Sequence, residues 1–508
     1  MKIDLLTQPS QEEFRNLAQQ HSVLPVWMEL LADLTTPVSL FARCVGNGPG
    51  FLLESVERGE NWSRWSFIGR NPILTISCIE GAARVEGEFS SDFLKEGPFL
   101  EVLEKLLDYY RSPTLQGLPP LYSGLMGYMG YDVVREIEDI GESALDDRGF
   151  PDGIMSLIGE LVAIDHWKQR AVLVANVVIP RDANIETLDQ IYLDAVNRLK
   201  KLAIDGGQPL DEPLMQPPNV EDESLKITSS MDKKEYIAAV EKAQERIFDG
   251  DIFQVVLSQR FDVELEADSF DVYRVLRQLN PSPYMYYLRY DEFTIVGASP
   301  ESLVKVLDGS VISRPIAGTR RRGYDEADER EMEIELIEDP KEIAEHVMLL
   351  DLARNDIGRV VRFGTEQVTE LMMLERYSHV MHLTSEVSGI LDEGFTSIDV
   401  LKATFPAGTV SGAPKVQAMK IIDELEPLKR GPYAGVVGYL DFSGNLDTAI
   451  TIRTMLVKDG IASIQAGAGI VADSIPELEH EECLNKAKAL LCAIPAARKM
   501  TNERRNSR

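Results

Sequence analysis

Apolar residues recur at helical spacing in some stretches and alternate at strand spacing in others. After Asp232-Lys-Lys-Glu235, which can close a capping box, Tyr236, Val240, Ala243 and Ile247 recur every three or four residues until Gly250. That spacing puts four side chains on one face and predicts a helix. Residues 253–260 then read as a strand. Asp339-Pro340 predicts a further helix, with Ile343, Val347 and Leu350 as its buried stripe and Glu342 and Glu345 on another face. Upstream, 73–79, 157–164 and 171–178 read as strands, and 99–110 and 188–202 as helices. Residues 436–440 and 448–457 predict a hairpin closed around Ser443-Gly444-Asn445.

One stretch breaks this alternation. Residues 205–229 are rich in proline, glycine and acid and keep no apolar period, which predicts a surface linker. The expected organisation is therefore an α/β region over 1–204, the linker, a second region over 230–497, and a loose basic tail over 498–508. A length of 508 residues is ample for several cores. The net charge of −31 argues against nucleic acid or an anionic membrane as partner. Four scattered cysteines indicate neither a disulfide framework nor a zinc site. The N-terminus resembles no targeting peptide, and no apolar run approaches the ~20 residues of a membrane span, so a cytoplasmic protein is expected.

Near the C-terminus, Gln465-Ala-Gly-Ala-Gly-Ile runs into Ser474-Ile-Pro-Glu-Leu-Glu-His-Glu-Glu-Cys-Leu-Asn-Lys486. Ser474 and Glu477 fit a second capping box, and helical geometry places Glu479, Glu482 and Lys486 on one face. Two carboxylates one turn apart, beside glycines that admit close backbone approach, suit a hard cation carrying an anionic ligand. The same pattern also describes a solvated acidic face. The glycine spacing does not fit a dinucleotide fingerprint.

Several other segments are unusual together: Ala298-Ser-Pro-Glu301, Arg314-Pro-Ile-Ala-Gly-Thr-Arg320, the stretch from Glu345 to Asp356, Val380-Met-His-Leu383, Phe405-Pro-Ala-Gly-Thr-Val-Ser-Gly-Ala-Pro-Lys415, Tyr433 and Arg453. In this order they resemble the chorismate-utilising enzymes, from Pro25 to Ile494. The resemblance implies an α+β fold of large, mainly antiparallel sheets packed as a sandwich with helices outside. It implies Mg2+ held by Glu345 and Glu482, with Glu342 and Glu479 beside them. It implies Arg453 on the enolpyruvyl carboxylate of chorismate, with Tyr433 and the amides around Gly467 and Gly469, and with Thr319 and Lys486 as polar contacts. Glu301 would be the general acid for the departing C4 hydroxyl, a role that needs a raised pKa. His382 would assist the elimination of pyruvate, and Thr409 would supply a hydroxyl.

Two positions separate the branches of that family. Water-adding members carry a lysine where this chain has Gln254, and a neutral amide cannot deprotonate water but can hydrogen-bond ammonia. Members that aminate C4 typically carry a lysine nucleophile where this chain has Ala317. The resemblance thus points to the anthranilate-forming branch, large component, with ammonia from a separate glutamine amidotransferase subunit in a heterotetramer. The alternatives are the first component of the C4-aminating enzyme and a non-catalytic tryptophan-binding homologue. Phe51-Leu-Leu-Glu-Ser-Val-Glu-Arg-Gly59 and Asn280-Pro-Ser-Pro-Tyr-Met285 match the family's tryptophan feedback site, which implies Glu54, Ser55, Pro283, Tyr284, Met285 and Asp447 as its residues.

Overall fold

Strands from both sides of the 205–229 stretch share the same two sheets. The computed structural model describes residues 6–55, 64–87, 96–141, 144–210, 212–213, 215–217, 225–376 and 380–507. Parts of the expected linker, and 56–59 of the Phe51–Gly59 motif, lie outside the described residues. Each sheet has 12 strands, and every strand pairing within them is antiparallel. In the first sheet the earlier and later parts of the chain join where Gly50–Glu54 pairs with Tyr284–Arg289. In the second they join where Leu125–Met129 pairs with Val436–Leu440.

The sheets face each other. Trp27, Phe67, Tyr286 and Ile295 of the first meet Met126, Tyr128, Ile154 and Val437 of the second in one buried cluster. Phe293–Ser299 and most of Gln254–Glu264 are buried without alternation, because helices cover the outer faces as the opposite sheet covers the inner ones. This is the α+β sandwich that the sequence implied.

Several local expectations change. The strand expected over 448–457 is two strands, Leu446–Ile450 in the second sheet and Thr454–Lys458 in the first. The chain crosses between the sheets at Ile450–Arg453, and Arg453 holds a positive φ of 50°. Residues 157–164 likewise divide, between Gly153–Leu157 and Glu160–Asp165, which belong to different sheets. Ser474 does not cap the helix Pro476–Leu491: its hydroxyl accepts from Val471 N–H at 3.0 Å, and Ile475 stands at the cap. In the helix Pro340–Gly358 the inward residues are His346, Leu349, Leu350 and Ala353, and Val347 is exposed. Residues 498–507, expected as a loose tail, complete the helix Ala493–Ser507. Arg504 pairs with Asp268 (2.8 Å) and Asp271 (3.0 Å), and Thr501 donates to Asp271, so acids on the helix Ser269–Leu279 and its cap hold the basic tail in place.

One buried ion pair braces the later half of the chain. Arg430 donates to both Glu426 oxygens (2.6 and 2.8 Å) and to the carbonyls of Val410 and Val256. Glu426 also accepts from the Ser258 N–H and hydroxyl. The pair thereby ties the Gln254–Glu264 strand to the loop that carries Thr409. Both side chains are almost wholly buried, so removing one partner strands the other charge. Glu426→Ala is expected to cost about 3–5 kcal/mol in urea unfolding, and a loss below ~1 kcal/mol would contradict this bracing role.

Candidate active site and a second cavity

Glu301 sits just beyond the strand Phe293–Ser299, in the turn imposed by Pro300, and is only 7 % exposed. No ion pair neutralises it among the described residues. Burial is the main cause that raises its pKa to about 8, against smaller opposing effects of Thr409 and Lys486. The Thr409 hydroxyl is close enough to favour the carboxylate, yet it forms no hydrogen bond of full geometry, so its Oγ1 remains a buried unpaired atom. Glu301 therefore carries a proton at neutral pH, as a general acid must.

Arg453 stands at the end of the crossover. Among the described residues its guanidinium forms no hydrogen bond or ion pair, and burial lowers its pKa while Tyr433 and Glu482 oppose this. An arginine desolvated without a partner is prepared for an anion from outside. Tyr433 and the strand Ile461–Ile470 lie against it. A Cβ on Gly467 would come within 3.1 Å of the Tyr433 hydroxyl and 2.8 Å of the Leu257 carbonyl, and one on Gly469 within 2.6 Å of Gln254 Nε2. Gly467 thus needs glycine for space, and a side chain at 469 would displace the Gln254 amide. Lys486 Nζ donates to the Gly467 carbonyl at 2.9 Å.

His382 is on the long strand Val380–Ile390, which pairs with Ile316–Arg321. Its Nδ1 donates to the Gly318 carbonyl at 3.0 Å, with the Thr319 hydroxyl also 3.0 Å away, which places the lone pair on Nε2. Burial, with a smaller push from Arg453, holds its pKa below the usual histidine value. Gln254 opens its strand with Nε2 3.4 Å from Glu345 Oε1, and its buried Oε1 has no partner. An acceptor held inside the site suits a small N–H nucleophile.

Four carboxylates from two helices edge the site. Burial raises the pKa of Glu345, and Glu342 and Glu482 add to it; burial likewise raises Glu479, with Glu482 adding. Mutual repulsion of this kind marks a place that a cation would relieve, and an all-oxygen donor set fits Mg2+. The donors are not gathered: no group of three or more His, Cys, Asp or Glu at metal-binding geometry occurs among the described residues. Glu482 instead pairs with Lys486 at 2.7 Å, and Glu342 with Arg320 at 2.8 Å. Arg453, Glu482 and Lys486 border an open cavity of about 400 Å3.

All six residues expected at the feedback site line a different cavity, of about 520 Å3. It lies between the sheets at their joins, with Leu53, Glu54 and Tyr284–Tyr286 from one and Val437–Tyr439 from the other. Asp447 accepts from the Tyr284 hydroxyl (3.1 Å) and pairs with Lys305 (3.4 Å). Glu54 is committed to Tyr273 (2.6 Å) and Arg277 (3.0 Å), whereas the buried Ser55 hydroxyl has no partner.

The model of the family described as chorismate binding enzyme matches residues 51–492. The chain belongs to that family. It is 46% identical over 492 residues to anthranilate synthase component 1 of Acetivibrio thermocellus, covering 96% of this chain and 99% of the relative. To the same-named protein of Aquifex aeolicus it is 43% identical, over 97% and 99% of the two chains. The crystal structure of anthranilate synthase component I from Streptococcus pneumoniae TIGR4 superposes with a TM-score of 0.73 at 37% identity, covering 85% of this chain and 95% of that one. Within the family the chain therefore belongs to the anthranilate synthase component 1 group. Among the described residues, no helix is long and apolar enough to cross a membrane.

Two supports of this site carry no obvious mark in the sequence. The Arg430–Glu426 pair appears there only as opposite charges four residues apart, and Ser299 is hidden inside the motif that Glu301 ends. The proton on Glu301 has two expected consequences. Activity should hold below about pH 8 and fall above it as the carboxyl ionises, and Glu301→Gln should remove that limb and lower kcat by roughly 100-fold or more. Because the folded-state pKa lies above the ordinary 4.5, the stability owed to this proton is full below that value and is lost as pH climbs through about 8. Urea titrations across this window should show a flatter pH dependence in Glu301→Gln than in the parent.

Proposed function

We propose that the chain is the chorismate-binding lyase component of an anthranilate synthase, acting in the cytoplasm in a heterotetramer with a glutamine amidotransferase subunit that supplies ammonia. The observation that carries this reading is the buried Glu301, whose pKa burial raises to about 8, together with a half-buried Arg453 that forms no ion pair among the described residues. Chorismate presents the matching groups, a hydroxyl that must leave as water and a carboxylate on its enolpyruvyl arm.

Arg453 forks onto that carboxylate, and Tyr433 and the amides around Gly467 and Gly469 complete its cradle. Glu301 gives its proton to the C4 hydroxyl, while Gln254 Oε1 accepts from ammonia and aims its lone pair at C2. The products of this step are 2-amino-2-deoxyisochorismate and water. In the second step the enolpyruvyl ether bond breaks, the ring loses a proton, and anthranilate and pyruvate separate. His382 Nε2, held by Gly318 and Thr319, is the base at hand for that proton. Thr409 sets its hydroxyl beside the Glu301 carboxyl, and Lys486 holds the strand at the Gly467 carbonyl.

Glu345 and Glu482, with Glu342 and Glu479 beside them, would hold Mg2+. Such an ion would neutralise the ring carboxylate and draw electron density from the ring. Neutralisation of this kind matters because a dianionic substrate would otherwise meet a carboxylate-lined entrance. Ala317 has no amine to open an alternative route at C2, and Gln254 cannot generate hydroxide.

The cavity at Glu54 and Met285 fits an aromatic amino acid, with apolar walls for a ring and Ser55 and Asp447 for polar groups; we assign it to tryptophan as feedback inhibitor. The full chain supplied with chorismate, ammonia and Mg2+ should form fluorescent anthranilate without an added lyase, and accumulation of a 4-amino isomer would refute the assignment. Glu482→Gln should raise the Mg2+ concentration for half-maximal rate by roughly tenfold or more. Tryptophan should raise the melting temperature and inhibit turnover, and an absence of both would remove the feedback role from the cavity.

A further inference from the structure

The crossover that carries Arg453 is fastened from one strand end. Tyr284 and Met285, on the cavity wall, pair in register with Ser299 and Ala298. The Ala298 N–H donates to the Arg453 carbonyl at 3.1 Å. Ser299, fully buried, donates its hydroxyl to the Ile450 carbonyl at 2.6 Å, and the Ile450 N–H donates to the Glu301 carbonyl at 3.0 Å. Both ends of Ile450–Arg453 thus hang on two adjacent residues whose cross-strand partners face the cavity.

The next residue explains why a side chain is used. Pro300 has no N–H, so the strand cannot extend its ladder by another donor, and the Ser299 hydroxyl adds a bond to the Ile450 carbonyl, which also accepts from the Ile452 N–H at 2.9 Å. A second connection runs along the strand Leu446–Ile450, where Asp447 takes the Tyr284 hydroxyl three residues before the crossover begins.

We propose that Ser299 is a positioning residue that sets the Ile450–Arg453 crossover and the Glu301 backbone, and that tryptophan in the adjoining cavity acts on both through it. The proposal rests on the reading of that cavity as a tryptophan site. A ligand that draws the Tyr284–Met285 strand end toward itself moves Ser299 and Ala298 with it. Arg453 follows because its carbonyl accepts from the Ala298 N–H, and Glu301 because its N–H donates to the Ser299 hydroxyl at 3.4 Å. The coupling is reciprocal, so chorismate must weaken tryptophan by the factor by which tryptophan weakens chorismate.

The test compares the full chain with Ser299→Ala and Ser299→Thr. Tryptophan affinity is measured by calorimetry with and without chorismate, in the absence of ammonia, and kcat and KM are measured with ammonia and Mg2+. In the parent, chorismate should weaken tryptophan by roughly fivefold or more. Ser299→Ala should bind tryptophan alone within about threefold of the parent, lose most of that coupling, and drop at least ~10-fold in kcat/KM. Ser299→Thr, which keeps the hydroxyl, should recover both. Coupling and kcat/KM within about twofold of the parent in Ser299→Ala would overturn the proposal. Should the variants not fold, hydrogen exchange on the parent decides: tryptophan must change protection at the Ala298 and Ile450 amides, and unchanged exchange there overturns it. If tryptophan fails to bind the parent at all, the reading of the cavity falls, while the kcat/KM comparison still decides the positioning role.

Discussion

The geometry of the site depends on how the chain passes from one sheet to the other at Ile450–Arg453. A β-sandwich aligns its sheets but leaves the gap between them to side chains, so a backbone crossing that gap must satisfy its polar groups locally. Here it does so with Ala298, Ser299, Glu301, Ala434 and Gly435 as partners. The same passage puts Arg453 in the left-handed region, at a cost of roughly 1–2 kcal/mol for a side chain other than glycine. The strained backbone carries the one guanidinium that the proposed reaction needs, and the surrounding bonds hold it there.

Charge of both signs meets at the site. Burial raises the Glu301 pKa to about 8, and Arg453, which borders the open cavity with Glu482 and Lys486, forms no ion pair among the described residues. At the rim, Glu342, Glu345, Glu479 and Glu482 carry the opposite sign, with Arg320 and Lys486 as partial compensation. The net charge of −31 adds to the repulsion that an anion meets there.

The chemical residues were legible in the sequence because each sits in a short motif, and motifs survive without knowledge of packing. Glu301, His382, Arg453 and Gln254 were read this way. The fold class was legible through the same resemblance. Local hydrophobic period failed where a strand changes sheets: 448–457 keeps one apolar run although its two halves hydrogen-bond to different sheets. It failed again at Ser474, where a cap residue satisfied its own loop, through Val471, and left the helix to begin without it. The basic tail read as loose because its acidic partners, Asp268 and Asp271, are more than 200 residues away. Long-range ion pairing of that kind has no period and no motif.

The two flanks of the site are held with unequal force. On the side of Gln254 and Thr409, Arg430 and Glu426 form a buried, fully hydrogen-bonded ion pair whose disruption costs several kcal/mol, about 3–5 for a pair of this kind. On the side of Arg453 and Glu301, the crossover is held by neutral hydrogen bonds, each with a net worth of about 1 kcal/mol. Coupling between a regulatory ligand and a substrate is typically about 1–3 kcal/mol. That amount exceeds a neutral bond and falls short of the buried pair. A ligand between the sheets is therefore expected to move the flank of Arg453 and Glu301, while the flank of Gln254 and Thr409 stays fixed. The cavity adjoins the weaker flank, at Tyr284 and Met285, and not the braced one.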